Sequence, residues 1–369
     1  MGVKSCDFDV APFLVIWETT RSCALACRHC RASAILGRDP GELSTEEGKR
    51  LLTDAAGMGC PIFILSGGDP LNRPDLDALI VHGKAAGLRM GTIPAATASL
   101  TRERLLRLRD AGLDQLAFSL DGPTAELHDG FRGVPGAFDL TLRAAGWARE
   151  AGVPLQINTV LAAWNYRYLE EMVRLVSRLK VVFWEVFFLI PIGRGTAEAS
   201  LTAEQFEAVF DRLHRLNAEQ DFVIKLTEAP HYRRFVIQRE AGKKDGREAA
   251  KRIQHIIARP RGAGGSLGLS PQAVNAGKGF AFVDYLGNVC PSGFLPIVAG
   301  NVRERTLSSL YRTSPVFVTL RDPKLLKGKC GLCEFSRICG GSRARANAVT
   351  GDPLASDPFC AYEPVATTR

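Results

Sequence analysis

Three cysteines, Cys23, Cys27 and Cys30, lie in the stretch TTRSCALACRHCRAS at C-x3-C-x2-C spacing. Thiolates this close together are placed to share one metal centre, and three are one short of the four that close a structural zinc site. On a 4Fe–4S cluster three thiolates leave one iron without a protein ligand, which is the open position that chemistry needs. A zinc knuckle completed by His29 is the other reading of the same residues. A second set, Cys330, Cys333 and Cys339 at C-x2-C-x5-C with Cys360 twenty-one residues on, supplies four thiolates. Four close a site completely, as zinc or as a 4Fe–4S cluster, and spacing alone leaves both open. The chain holds ten cysteines, and its first residues, MGVKSCDFDV, carry Asp7 and Asp9 where a signal peptide needs an apolar stretch. A cytoplasmic location is therefore expected, with the thiols serving metal rather than disulfides. Cys6 and Cys60 have no partner spacing and are expected to be ordinary buried or tail thiols.

Something must hold these sets in place. Apolar, β-rich runs fall at 13–17, 62–65, 88–93, 115–120, 155–161 and 181–190, and helical patterns follow at 45–58, 75–86, 101–111, 137–151, 166–179 and 203–217. Ser44 before Glu46 and Glu47 is a helix start, while Gly112 and Gly152 are stops. Near-continuous apolar strands alternating with amphipathic helices imply an α/β chain with a parallel sheet covered by helices. Six such units suit a partial (β/α)6 barrel or a doubly wound sheet, in either case with functional groups just after the strands, at their C-terminal ends. The alternation stops after Asp221. A helical, basic stretch and then a Gly-rich one lead to GFAFVDY, a Gly287-Asn288 turn and VCPSGFLPIV, a hairpin pattern. The expected division is 1–225 for the barrel, 226–279 for a helical and Gly-rich connector, and 280–369 for a small cysteine-bearing domain that needs a metal staple.

The composition narrows the class. Of 369 residues 46% are apolar and 23% charged, enough for a sizeable core. The longest apolar run, 181–190, is interrupted by Glu185 and is half a membrane span, so no membrane is expected. Net charge is +8, suited to an anionic partner or to a merely solvated surface. No basic run is interleaved with aromatics, so no nucleic acid is expected.

C-x3-C-x2-C directly after the first strand of a βα repeat resembles the radical S-adenosylmethionine superfamily. That resemblance implies that Cys23, Cys27 and Cys30 hold a 4Fe–4S cluster whose fourth iron is chelated by the amino and carboxylate groups of the methionine moiety. It puts His29 near the adenine. It assigns Ser66-Gly67-Gly68-Asp69-Pro70 to the methionine amino group, with Asp69 where Glu is more usual. Ser119 and Asp121 of FSLDGP match positions that contact the ribose or carboxylate, and Asn158 is a further cofactor contact. Arg194, in the turn Pro191-Ile192-Gly193-Arg194-Gly195, faces the same end. The C-terminal stretch resembles a SPASM or twitch domain, in which Cys330, Cys333, Cys339 and Cys360 hold an auxiliary 4Fe–4S cluster. Ser342 and Arg343 stand where a further cysteine often occurs, so one auxiliary cluster is expected, with Cys290 a free or structural thiol. That cluster would either accept an electron from a substrate radical or serve structure alone.

The segments GGDP, FFLIPIGRG, EAPHYRR and CGGSRARA are similar to the haem-pathway branch, which includes iron-coproporphyrin decarboxylation and haem d1 side-chain trimming. The resemblance implies reductive cleavage of S-adenosylmethionine to a 5′-deoxyadenosyl radical, which abstracts hydrogen from a tetrapyrrole side chain, with a flavodoxin or ferredoxin as one-electron donor. Arg194, His231, Tyr232, Arg343 and Arg345 are the candidates to grip its carboxylates or central metal. A maturase acting on a ribosomal peptide is the alternative, and a non-catalytic iron–sulfur redox protein is a remoter one.

Overall fold

A computed structural model describes residues 7–241 and 273–364. Cys6, the basic stretch 243–261 and most of the expected connector lie outside the described residues. In chain order the first part runs β1 (Leu14–Glu18), α1 (Thr45–Gly57), β2 (Ile62–Ser66), α2 (Leu76–Ala85), β3 (Arg89–Thr92), α3 (Arg102–Asp110), β4 (Gln115–Ser119), α4 (Ala125–Arg132), α5 (Ala137–Glu150), β5 (Leu155–Leu161), α6 (Leu169–Arg178), β6 (Phe183–Phe188) and α7 (Ala203–Glu219). All six expected strands are there, each followed by a helix. The sheet then runs past them: β7 (Val223–Thr227) pairs with β6 and leads into α8 (Tyr232–Ala241). The hairpin is β8 (Phe280–Val283) and β9 (Asn288–Cys290), with β10 (Gly300–Asn301) beside it.

The strand order is β10-β9-β8-β1-β2-β3-β4-β5-β6-β7, with β8 through β7 mutually parallel. The C-terminal segment therefore begins by extending the barrel sheet at β1. This is a partial TIM-like barrel, and every β1–β6 strand end opens on the same side.

Local chemistry accounts for the elements. Ser44 and Glu47 close a capping box on α1, each side chain meeting the other's backbone N–H. Val15, Trp17, Phe63, Leu65, Leu116, Phe118, Ile157 and Trp184 point outward and are buried beneath the helices. A methyl group at Gly48 of α1 would lie 2.6 Å from the Trp17 ring, so the glycine sets how closely that helix sits. The opposite strand faces are different in kind. Gln115, Ser119, Gln156, Asn158, Glu185, Lys225 and Thr227 alternate with the core residues and line an interior cavity, as the period of 2 requires. Among the described residues no helix is long and apolar enough to cross a membrane.

Candidate active site

The cavity encloses about 480 Å³ and reaches from the barrel interior to the loop after β1. Cys23, Cys27 and Cys30 all border it. Their loop is held at both ends: Cys23 N–H donates to Ile35 carbonyl at 2.8 Å, and Arg28 N–H to Phe131 carbonyl at 3.0 Å. Each sulfur has a donor. Leu25 N–H lies 3.4 Å from Cys23 Sγ, Ala34 N–H 3.4 Å from Cys30 Sγ, and Arg132 Nη1 3.6 Å from Cys27 Sγ. Donors aimed at sulfur favour the anionic thiolates of an iron–sulfur cluster. Burial alone works the other way and pushes the free Cys23 thiol up to about 11, so a metal binding there displaces a proton.

His29 borders the same cavity, with its ring stacked on Phe131 at 4.4 Å between centroids. Burial, with the Arg132 charge second, holds its pKa down at about 4, leaving a neutral flat ring beside the cysteines. Gly67 and Gly68 sit at the end of β2 because nothing larger fits. Gly67 has φ +152°, and a Cβ there would lie 2.6 Å from Thr20 carbonyl oxygen. At Gly68 it would lie 2.5 Å from Ser22 carbonyl oxygen and 2.7 Å from that of Arg21. The amides of Gly68 and Asp69 each donate at 2.7 Å, to Thr20 and Ser22 carbonyls, lacing this turn to the cysteine loop. A Gly68→Ala variant must push that backbone away, at roughly 1–3 kcal/mol of strain. Weaker S-adenosylmethionine binding by isothermal titration, with a lowered unfolding midpoint, is the expected result; unchanged binding would mean that the turn does not set the cysteine loop.

The carboxylates stand behind the cavity rather than in it. Asp69 is wholly buried, accepting from Leu71 N–H, Ala95 N–H and Thr97 Oγ1 at 3.1, 3.3 and 2.6 Å. Asp121 is also wholly buried, 2.5 Å from Arg132 and accepting Val160 N–H at 2.8 Å. Burial opposes its ionisation, but the Arg132 guanidinium prevails and holds Asp121 below the usual carboxylate range. Ser119 and Asn158, by contrast, do border the cavity. Asn158 belongs to a hydrogen-bonded chain that residue types alone did not single out. Gln115 donates to Gln156 at 2.6 Å, and Gln156 donates to Asn158 at 2.6 Å and to Glu185 at 2.8 Å. Lys225 closes on Glu185 at 2.7 Å. Polar residues at alternate positions of otherwise apolar strands were the available signal for this wall. Arg194 is exposed and outside the cavity lining, though its backbone N–H donates to Cys30 carbonyl at 3.1 Å.

Cys330, Cys333, Cys339 and Cys360 line a second, small cavity of about 20 Å³. Asp357 N–H lies 3.4 Å and Arg343 Nη2 3.7 Å from Cys330 Sγ, and Gly341 N–H 3.4 Å from Cys339 Sγ. Cys290 is buried in β9 and does not border that cavity. His231 does: it is wholly buried between Phe206 and Phe210, with both ring nitrogens lacking a hydrogen-bond partner. It faces the C-terminal cysteines and not the barrel cavity, which its neighbour Tyr232 borders. Arg343 and Arg345 are buried as well. Arg343 donates to the carbonyls of Gly341, Pro353 and Ala355, and Arg345 pairs with Asp357 at 3.1 Å, so both brace the cysteine loop.

Ser342 starts the helix Arg343–Thr350, accepting from Arg345 N–H at 3.1 Å and donating to Glu228 at 2.7 Å. It joins the cysteine loop to the residue after β7. Ser342→Ala removes both bonds and is expected to cost about 1–3 kcal/mol in denaturant unfolding; a loss under about 0.5 kcal/mol would show the link to be idle.

A partial barrel carrying three thiols on the loop after its first strand, beside a cavity at the strand ends, is the layout of an enzyme built round an open-site cluster. Residues 17–176 match the Radical SAM superfamily. The chain is 41% identical to the AdoMet-dependent heme synthase of Methanosarcina barkeri over 354 residues, 96% of this chain and 97% of that one. It is 30% identical to the PqqA peptide cyclase of Rhizobium meliloti over 365 residues, 96% and 88% of the two chains. In fold it is similar to SuiB of Streptococcus suis, solved with S-adenosylmethionine, at a TM-score of 0.72 with 16% identity, covering 96% of this chain and 78% of that one. The chain belongs to the radical S-adenosylmethionine superfamily and is an enzyme that uses a 4Fe–4S cluster and S-adenosylmethionine.

Proposed function

We propose that this enzyme trims a carboxylate-bearing side chain of a tetrapyrrole, in the manner of propionate decarboxylation. The observation that carries the reading is the 41% identity to a heme synthase across 96% of this chain and 97% of that one, against 30% to a peptide cyclase. The barrel cavity supports it, since about 480 Å³ lies within the range of small-molecule sites and the chamber begins at the three cysteines.

In this reading Cys23, Cys27 and Cys30 hold the cluster that binds S-adenosylmethionine, and Cys330, Cys333, Cys339 and Cys360 hold an auxiliary 4Fe–4S cluster in a domain spanning 280–369. When bound, the first cluster and S-adenosylmethionine would supply a carbon radical that removes a hydrogen atom from the substrate side chain, which would then lose carbon dioxide and pass its remaining electron to the auxiliary cluster. The chain's own residues bind, orient and keep water out. Gly67 and Gly68 let the backbone approach the cofactor, His29 offers a neutral ring face, and Ser119 and Asn158 offer hydrogen bonds from the strand ends. A flavodoxin or ferredoxin delivers the electron in the cytoplasm.

Anaerobic reconstitution with S-adenosylmethionine, dithionite and iron-coproporphyrin III tests this. Expected are 5′-deoxyadenosine and a macrocycle lighter by the elements of formic acid for each side chain lost. About eight irons per chain are expected for two clusters. Product 5′-deoxyadenosine with an unaltered macrocycle would reject the substrate class, and about four irons with one zinc would reject the second cluster.

A further inference from the structure

A cavity that receives carboxylates needs a cation not already spent on the protein's own acids. Four arginine and lysine side chains border the barrel cavity among the described residues: Arg31, Arg132, Lys225 and Arg233. Three are matched by carboxylates, one on the wall and two behind it. Arg31 pairs with Glu18, Arg132 with Asp121 at 2.5 Å, and Lys225 with Glu185 at 2.7 Å. Of the two histidines on the wall, His29 is stacked on Phe131 and His128 accepts Asp121 N–H on its Nδ1 at 3.0 Å, the role of a neutral imidazole.

Arg233 is different. Its Nη1 donates to Ile338 carbonyl at 3.2 Å and its Nη2 to Val274 carbonyl at 2.7 Å, and no carboxylate among the described residues pairs with it. Carbonyl dipoles fix the plane of the guanidinium without neutralising it, and two bonds leave three of its five N–H groups unspent. Burial lowers its pKa, so holding this charge here has a cost that an incoming anion would offset. Lys278 stands close by, donating to Arg337 carbonyl at 3.1 Å, and is itself depressed by burial and then by the Arg233 charge. Glu228 borders the same cavity, but its carboxylate accepts from Ser342 Oγ at 2.7 Å and makes no ion pair with Arg233 among the described residues.

We propose that Arg233 is the anchor for a carboxylate of the substrate. This rests on the tetrapyrrole reading, since a macrocycle with several propionates always has one to spare for an anchor while another reacts. The planar fork suits bidentate carboxylate binding, which fixes orientation as well as position. Its tether to Ile338, the residue before Cys339, places the anchored end of the substrate toward the C-terminal cysteines and leaves the rest to extend toward Cys23, Cys27 and Cys30. Arg233 is thus a binding residue that sets which side chain meets the radical.

A competing role is a counter-charge for the Cys339 thiolate, whose own pKa is raised chiefly by burial and lowered in part by Arg233. Equilibrium binding separates the two. Reconstituted wild type, Arg233→Gln and Arg233→Lys are titrated anaerobically with iron-coproporphyrin III and with its tetramethyl ester in the same dilute detergent, following the porphyrin absorbance. Iron per chain and the potential of the C-terminal cluster are measured alongside. Arg233→Gln is expected to weaken binding of the free acid by about 10- to 100-fold, with the ester unaffected, and Arg233→Lys to recover part of the loss. Iron content and potential should stay at wild-type values. Equal free-acid binding by wild type and Arg233→Gln would overturn the anchor and leave the tetrapyrrole reading intact. Loss of C-terminal iron, a shifted potential with unchanged affinity, or equal weakening of acid and ester would overturn it in favour of the cluster role. Failure of wild type to bind either form would remove the tetrapyrrole reading itself, and the anchor with it.

Discussion

Cys27→Ala is expected to abolish 5′-deoxyadenosine formation while the iron held by the C-terminal cysteines survives. Cys27 is 7% exposed, borders the cavity and receives Arg132 Nη1 at 3.6 Å. Without its sulfur the N-terminal set has two thiols, too few to hold a cubane while leaving one iron open. Iron should fall from about eight to about four per chain, and one dithionite-reduced cluster signal should remain in electron paramagnetic resonance. Product should drop to the background of the assay, because the cofactor carries the hard chemistry and no side chain substitutes for it. The complementary variant, Cys339→Ala, should lose the other signal and keep S-adenosylmethionine binding. Persistence of product in Cys27→Ala, or loss of both clusters together, would reject the division of the cysteines into two independent sets.

That division was legible from spacing and from position after a strand, because both are local. What escaped was set by contacts distant in sequence. Residues 223–227, VIKLT, fall past Asp221, where the alternation is expected to stop; in the barrel Lys225 turns inward to Glu185 and the strand forms around it. The hairpin after Gly279 was readable from its turn, but the parallel pairing of β8 with β1 joins positions 14 and 280 and has no local signature. Helix Ala125–Arg132 is short and carries only Leu127 and Phe131 as large apolar residues, so no periodicity announces it. At the site, the family resemblance brought Asp69 and Asp121 forward as cofactor contacts. Position after a strand says nothing about direction, and both point back into the protein, where they tie loops together. His231 and Tyr232 were both candidates for the substrate, yet His231 lies in the turn before α8 and Tyr232 begins that helix, and the two border different cavities.

The largest stability effect is expected at Asp121. Replacing it by Asn leaves Arg132 buried and uncompensated, and breaking a buried pair by removing one partner costs about 3–5 kcal/mol. Asp121 also accepts Val160 N–H at 2.8 Å, and its pair arginine reaches Cys27, so one carboxylate joins β5, α4 and the cysteine loop. Denaturant unfolding of the cluster-free chain measures the cost directly. Iron loading adds a second reading, because a misplaced Arg132 no longer supports the Cys27 thiolate. The sign of the pH dependence follows from the depressed native pKa of Asp121. Its contribution is fully present above the ordinary carboxylate value of about 3.9 and is lost as pH falls through the lower native one. Wild type and Asp121→Asn should therefore differ by the full amount at pH 7 and converge in strong acid. Removing both charges, in Asp121→Asn with Arg132→Met, should restore much of the stability, since an apolar replacement of a buried pair is often close to neutral. It should leave iron loading impaired, because Met has no N–H to offer Cys27. If the double variant regains stability and full iron loading together, Arg132 serves the fold alone; if Asp121→Asn unfolds at the wild-type midpoint, the pair carries neither.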